Sequence, residues 1–91
     1  MTKLEIEQII IETLRELQVA SGDMECEISS TVVPLSTLSF FDSLLAIETT
    51  LVLEERLAHS CGDDNIFKDK DTSQPLAISE VASRLAQKVA A

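Results

Sequence analysis

The chain has no tryptophan and no tyrosine, and phenylalanine occurs only as Phe40, Phe41 and Phe67. Its interior must therefore be aliphatic, with those three rings as the only large aromatic side chains. Glycine and proline are scarce, two of each. Gly22, in Ser21-Gly22-Asp23, suits the left-handed stop of a first helix, Gly62 the end of a central one, and Pro75 or Ser79 the opening of a last one. Pro34 marks extended or irregular chain. Basic residues are few: seven Lys and Arg against 16 Asp and Glu leave a formal net charge of −9. That balance lacks the cationic footprint required for DNA, RNA or an anionic membrane. It favours partners with basic surfaces, reached by electrostatic steering.

Cys26 and Cys61 are the only cysteines, far apart and without a Cys-x-x-Cys pair. They permit one disulfide, but no export signal is evident and a chain of this size has enough core without the bridge. A reduced, cytoplasmic protein is expected. No apolar run approaches the length of a membrane span. A single histidine, His59, and the lack of a Gly-rich phosphate loop argue against a conventional enzyme.

What is present points to helices. Ninety-one residues, 45% of them hydrophobic, suit one domain (1–91) and one core of three or four helices. Thr2 to Val19 reads as the first helix, with a capping-box pattern in Thr2 and Glu5. Ile6, Ile9, Ile10, Thr13, Leu14 and Leu17 recur there at helical spacing. Met24 to Phe41 has no helical periodicity. A hairpin over Glu25 to Val33 lacks a partner strand, so a loop packing Val33, Leu35 and Leu38 onto the bundle is preferred. A short helical turn over 65–70 would bury Ile66 and Phe67. The last helix, about 76–89, carries Ile78, Val81, Ala82, Leu85, Ala86 and Val89 on one face, with Arg84 and Lys88 near its end suiting the helix dipole.

The most informative stretch is Phe41 to Leu57, FDSLLAIETTLVLEERL, a helical run of about 43–57 without glycine or proline. Asp42 is a good N-cap, and Ser43 then falls in the first turn, where an attached anion is electrostatically favoured. At 3.6 residues per turn Ala46, Leu53 and Leu57 form a stripe expected to face the core. Leu44, Ile47 and Leu51 form another, flanked by Glu48, Glu54 and Glu55. Leu45 and Val52 form a third. Such a helix is surrounded, or offers surface to partners, or both.

Asp42-Ser43-Leu44, then Glu48, then Leu53-Glu54-Glu55-Arg56-Leu57 stand in one ungapped register. This string resembles the second helix of acyl carrier proteins and of the related peptidyl carrier domains. The resemblance implies an all-α, four-helix bundle of acyl-carrier type, with a long loop between its first two long helices and a short third helix. It implies that Ser43 carries 4′-phosphopantetheine, joined by a phosphodiester and derived from coenzyme A. The cargo, acyl or aminoacyl, is then held as a thioester. The partners implied are a phosphopantetheinyl transferase and a loading ligase, synthase or transferase with a basic docking surface. The docking face implied is Asp42, Leu44, Ile47, Glu48, Leu51, Glu54 and Glu55, with Arg56 as a local charge partner of those acids. The chain itself is then no enzyme, and a monomer is expected.

Two departures from the family pattern suggest a specialised carrier. Phe40 stands where many carriers have glycine, three residues before the modified serine, and the segment after the central helix is longer than in the common fatty-acid carriers. Other readings are a helical adaptor without a prosthetic group and, more remotely, a hydrolase using Ser43 and His59. Cys26, His59 and Cys61 fit no zinc spacing. The run Asp63 to Asp71 lacks the central glycine and closing glutamate of a calcium loop.

Overall fold

A computed structural model of the chain describes residues 1–22 and 27–90. Among the described residues four helices follow one another: α1 (Lys3–Ser21), α2 (Pro34–Thr37), α3 (Ser43–Leu57) and α4 (Ile78–Ala90). Among the described residues there is no strand, only an isolated antiparallel bridge between Lys68 and Pro75. α1 packs on both α4 and α3. The radius of gyration, 12.0 Å, is close to that of a compact chain of this length, so the long connections lie on the helices instead of extending from them.

α1 begins and ends as its sequence dictates. The Thr2 hydroxyl accepts from the Glu5 N–H, and Glu5 reaches back to the Thr2 N–H, so two orphan donors are satisfied reciprocally. Gly22 closes the helix at φ 79°, its N–H donating to the Gln18 and Val19 carbonyls. Asp23 and Cys26 lie outside the described residues, as does the start of the hairpin considered over 25–33. A Cys26–Cys61 bridge is outside them for the same reason, as is the Val89 side chain of the α4 stripe.

The core joins Ile6, Ile10 and Leu14 of α1, Ala46, Leu53 and Leu57 of α3, and Ile78, Val81, Ala82 and Leu85 of α4. Ile28, Leu38, Ile66 and Leu76 close it from the connections. Phe41 and Phe67, both buried, meet edge to face with centroids 5.0 Å apart, which locks the entry to α3 against the segment that follows it.

Three local expectations are corrected. The first loop contains a helix: Pro34 occupies the first turn of α2, where its missing N–H costs nothing and its fixed φ is already helical. The short helix expected over 65–70 does not form. There the Asn65 side chain accepts the Phe67 N–H at 2.9 Å, and Thr50 Oγ1 accepts the Ile66 N–H at 3.3 Å. Those first-turn N–H groups would be unpaired in a helix too. What replaces the helix is backbone pairing further on, where the Asp69 N–H donates to the Gln74 carbonyl at 2.8 Å and the Phe67 carbonyl accepts the Leu76 N–H at 3.0 Å. Ile66 and Phe67 are buried as expected. The one short helix therefore precedes the central helix instead of following it. Third, Gly62 does not end α3. Ala58 does, in the left-handed region at φ 53°, donating to the Glu54 and Glu55 carbonyls.

α4 opens at Ile78, between the two candidate openers, Pro75 and Ser79. Its first N–H groups are met from the connection between α1 and α2. Ile78 donates to the Val32 carbonyl and Ser79 to the Ser30 carbonyl, each at 2.9 Å, and Glu80 Oε1 accepts the Ala77 N–H.

Candidate functional site

The start of α3 is built by Asp42, whose Oδ1 accepts the Leu45 N–H at 2.8 Å. This uses one of the helix's orphan donors, and the carbonyl of Asp42 receives the Ala46 N–H. Ser43 is the first helical residue and is exposed. Among the described residues its hydroxyl has no hydrogen-bond partner. The cap therefore leaves the hydroxyl open at the positive end of a 15-residue helix.

The neighbouring surface follows from the helical phase. Leu44, Ile47 and Leu51 are 67%, 40% and 62% exposed, an apolar strip that begins beside Ser43 and runs down the helix. The opposite stripe, Ala46, Leu53 and Leu57, is buried together with Thr49 and Thr50. Those threonines are absent from the sequence reading because they are polar. Each satisfies its hydroxyl on its own helix, at the Leu45 and Ala46 carbonyls, 2.7 and 2.8 Å away. Their spacing with Ala46 and Leu53 was the signal that could have placed them. The third stripe lines a small cleft, about 210 Å³, in which Leu45 and Val52 face Leu17 of α1.

The acids of α3 divide. Glu48 and Glu55 are exposed. Glu54 is half-buried and turned to the following loop, where Oε2 accepts the Cys61 N–H at 2.7 Å and the Ser60 hydroxyl at 3.3 Å. Arg56 is not a local partner of these acids. It reaches α1, with Nη2 2.6 Å from Glu16 Oε2 and Nη1 donating to the Thr13 hydroxyl at 2.8 Å.

Beyond the apolar strip a groove of about 490 Å³ runs between Ile47 and Leu51 on one side and Ser60, Asp63, Asp64 and Lys70 on the other. Its wall is apolar at Ile47 and Leu51 and polar at Glu54 and along the loop. Phe40, half-buried, contacts Phe41 edge to face with ring centroids 6.3 Å apart.

His59 lies past the opposite end of α3, roughly 20 Å from Ser43 by helical rise. It stands 2.8 Å from the Ser60 carbonyl through Nδ1. Ser43 and His59 therefore form no nucleophile–base pair. Cys61 is wholly buried, and desolvation, with Glu54 nearby, pushes its thiol up to about 11. Among the described residues no three His, Cys, Asp or Glu side chains gather as a metal site, and no helix is long and apolar enough to cross a membrane. Comparisons of the chain with protein-family models, with curated proteins and with solved structures return no match.

Proposed function

We propose that the chain is a carrier protein of acyl-carrier type, in which Ser43 is the attachment point for 4′-phosphopantetheine. The observation that carries this reading is an exposed, unbonded hydroxyl at the first position of a capped helix, beside an exposed apolar strip. The residues present fit the group. A phosphodiester on Ser43 would be stabilised by the remaining N–H groups of the first turn, and the groove along Ile47 and Leu51 offers apolar contact for the arm. The arm would supply a thiol on a long tether, able to hold an acyl or aminoacyl group as an activated thioester. The rest falls to the chain's own surface. Leu44, Ile47 and Leu51 give a partner its apolar contact, while Asp42, Glu48 and Glu55 set orientation against a basic enzyme face. The tie from Glu54 to Cys61 and Ser60 makes it the supporting member of that set. The partners would be a phosphopantetheinyl transferase and an acyl- or aminoacyl-loading enzyme.

Incubation with coenzyme A and a broad phosphopantetheinyl transferase, followed by intact mass spectrometry, tests the reading. The wild type is expected to gain one arm and Ser43→Ala none, with the same helical circular dichroism. An unchanged wild-type mass, with a control carrier fully converted, would overturn it. The same exposed strip supports a second reading, a helical adaptor that binds a protein partner with no prosthetic group. That reading gains ground only if the mass stays as translated.

A further inference from the structure

Four of the chain's seven basic residues, Lys68, Lys70, Arg84 and Lys88, line one open groove between the 62–70 segment and α4. The groove encloses about 610 Å³, and its apolar floor is formed by Ile66, Val81 and Leu85, the outer edge of the core. In a chain of net charge −9 this is a local inversion of sign. The four cations are unequally committed. Arg84 is paired with Asp69 at 2.9 Å. Lys88 donates to the Cys61 carbonyl, a neutral acceptor that leaves its charge uncompensated. Among the described residues Lys68 and Lys70 make no ion pair, and Asp63 is the one acid in the groove's lining.

We propose that this groove binds a small amphipathic anion, its aliphatic or aromatic body over Ile66, Val81 and Leu85 and its carboxylate held by Lys68 and Lys70. The volume is that of a small-ligand site. An inorganic anion would leave the floor uncovered, and an uncharged hydrocarbon would leave the lysines unanswered. An acidic macromolecule would also meet the negative remainder of the surface. A ligand confined within a screening length of about 10 Å responds mainly to the local lysines. The groove shares Asp63 and Lys70 with the one beside Ile47 and Leu51, but its floor and its other cations lie on the 66–68 segment and α4, so the proposal stands whether or not Ser43 is modified.

The probes are octanoate, octanol and octylammonium, titrated into the ¹⁵N-labelled chain at an ionic strength of about 0.1 M, where the screening length is about 10 Å, and followed by amide shifts. Octanoate is expected to give saturable shifts centred on Lys68, Lys70, Val81, Arg84 and Leu85, with an affinity at least about tenfold above octanol and with octylammonium weakest. Lys68 and Lys70 are exposed, so the double variant Lys68→Gln/Lys70→Gln keeps the fold. It should bring octanoate down to the affinity of octanol while leaving octanol unchanged. The proposal is overturned if octanoate gives no saturable shifts, if octanol binds as tightly, or if the double variant retains the octanoate affinity. It is equally overturned if the shifts centre on Leu44 and Leu51.

Discussion

Glu54 Oε2 lies 2.7 Å from the Cys61 backbone nitrogen, so a side chain of α3 holds down the loop that leaves that same helix. Lys88 of α4 donates to the Cys61 carbonyl, and the peptide groups on either side of Cys61 are thereby held from two helices. Glu54→Ala should cost about 1–2 kcal/mol, the worth of a partly buried charge-assisted hydrogen bond. Glu54→Gln, which keeps an acceptor, should cost less. Urea unfolding gives the magnitude, and hydrogen exchange at the Cys61 amide, accelerated in Glu54→Ala, gives the location.

Ala58 ends α3 with φ at 53°, where an L side chain is strained and glycine is not. Relief of that strain outweighs the extra freedom gained by the unfolded chain. Ala58→Gly is therefore expected to stabilise by about 0.5–1 kcal/mol, raising Tm by about 2–8 °C in a scanning calorimeter. A fall in Tm would place the strain elsewhere.

Arg84, then the Thr72 and Asp71 N–H groups, hold the Asp69 carboxyl at about 2, well below its ordinary 3.8. A group lowered on folding adds stability above its unfolded value and loses it as pH falls through the folded one. The Asp69 contribution is thus complete at neutral pH and lost between about 3.8 and 2. Asp69→Asn should have a lower Tm than the wild type at pH 7, and the gap should close by pH 2. A constant gap would show that the ion pair is not its source.

The buried Cys61 thiol, raised to about 11, is neutral at pH 8. Iodoacetamide at that pH should leave Cys61 unmodified in the native chain and alkylate it fully in urea, as read by peptide mapping. Rapid native labelling would mean that the loop opens more readily than its two ties suggest.

Glu48 is exposed on α3, one helical turn from Leu44 and Leu51. If the strip is the docking face, Glu48→Lys should slow modification of Ser43 by the transferase at low ionic strength, with the difference shrinking as salt is added. Identical rates at low salt would remove Glu48 from that face.

Much of the architecture is legible because its signals are local. The Asp42 cap and the Ala46, Leu53 and Leu57 stripe give α3 its observed bounds, and Thr2 with Glu5 starts α1. The misreadings have separate causes: a pairing made outside the segment, a residue with two meanings, and a stop that composition does not mark. Pro34 marks irregular chain by sequence, yet proline also starts helices, as it does in α2. The segment 65–70 is decided by its backbone pairing with Gln74 and Leu76, and Ala58 is not a residue that composition marks as a stop. The candidate site divides in the same way. The exposure of Ser43, Leu44, Ile47 and Leu51 follows from helical phase, whereas the commitments of Glu54 to Cys61 and of Arg56 to Glu16 come from tertiary packing.

The Ser30 and Val32 carbonyls close the start of α4. The first connection is therefore a structural member and not a spacer that can be exchanged at will. Any chimera that grafts this loop onto another scaffold, or trims it, must reproduce those two acceptors. Otherwise fraying begins at Ile78 and travels inward along the last helix.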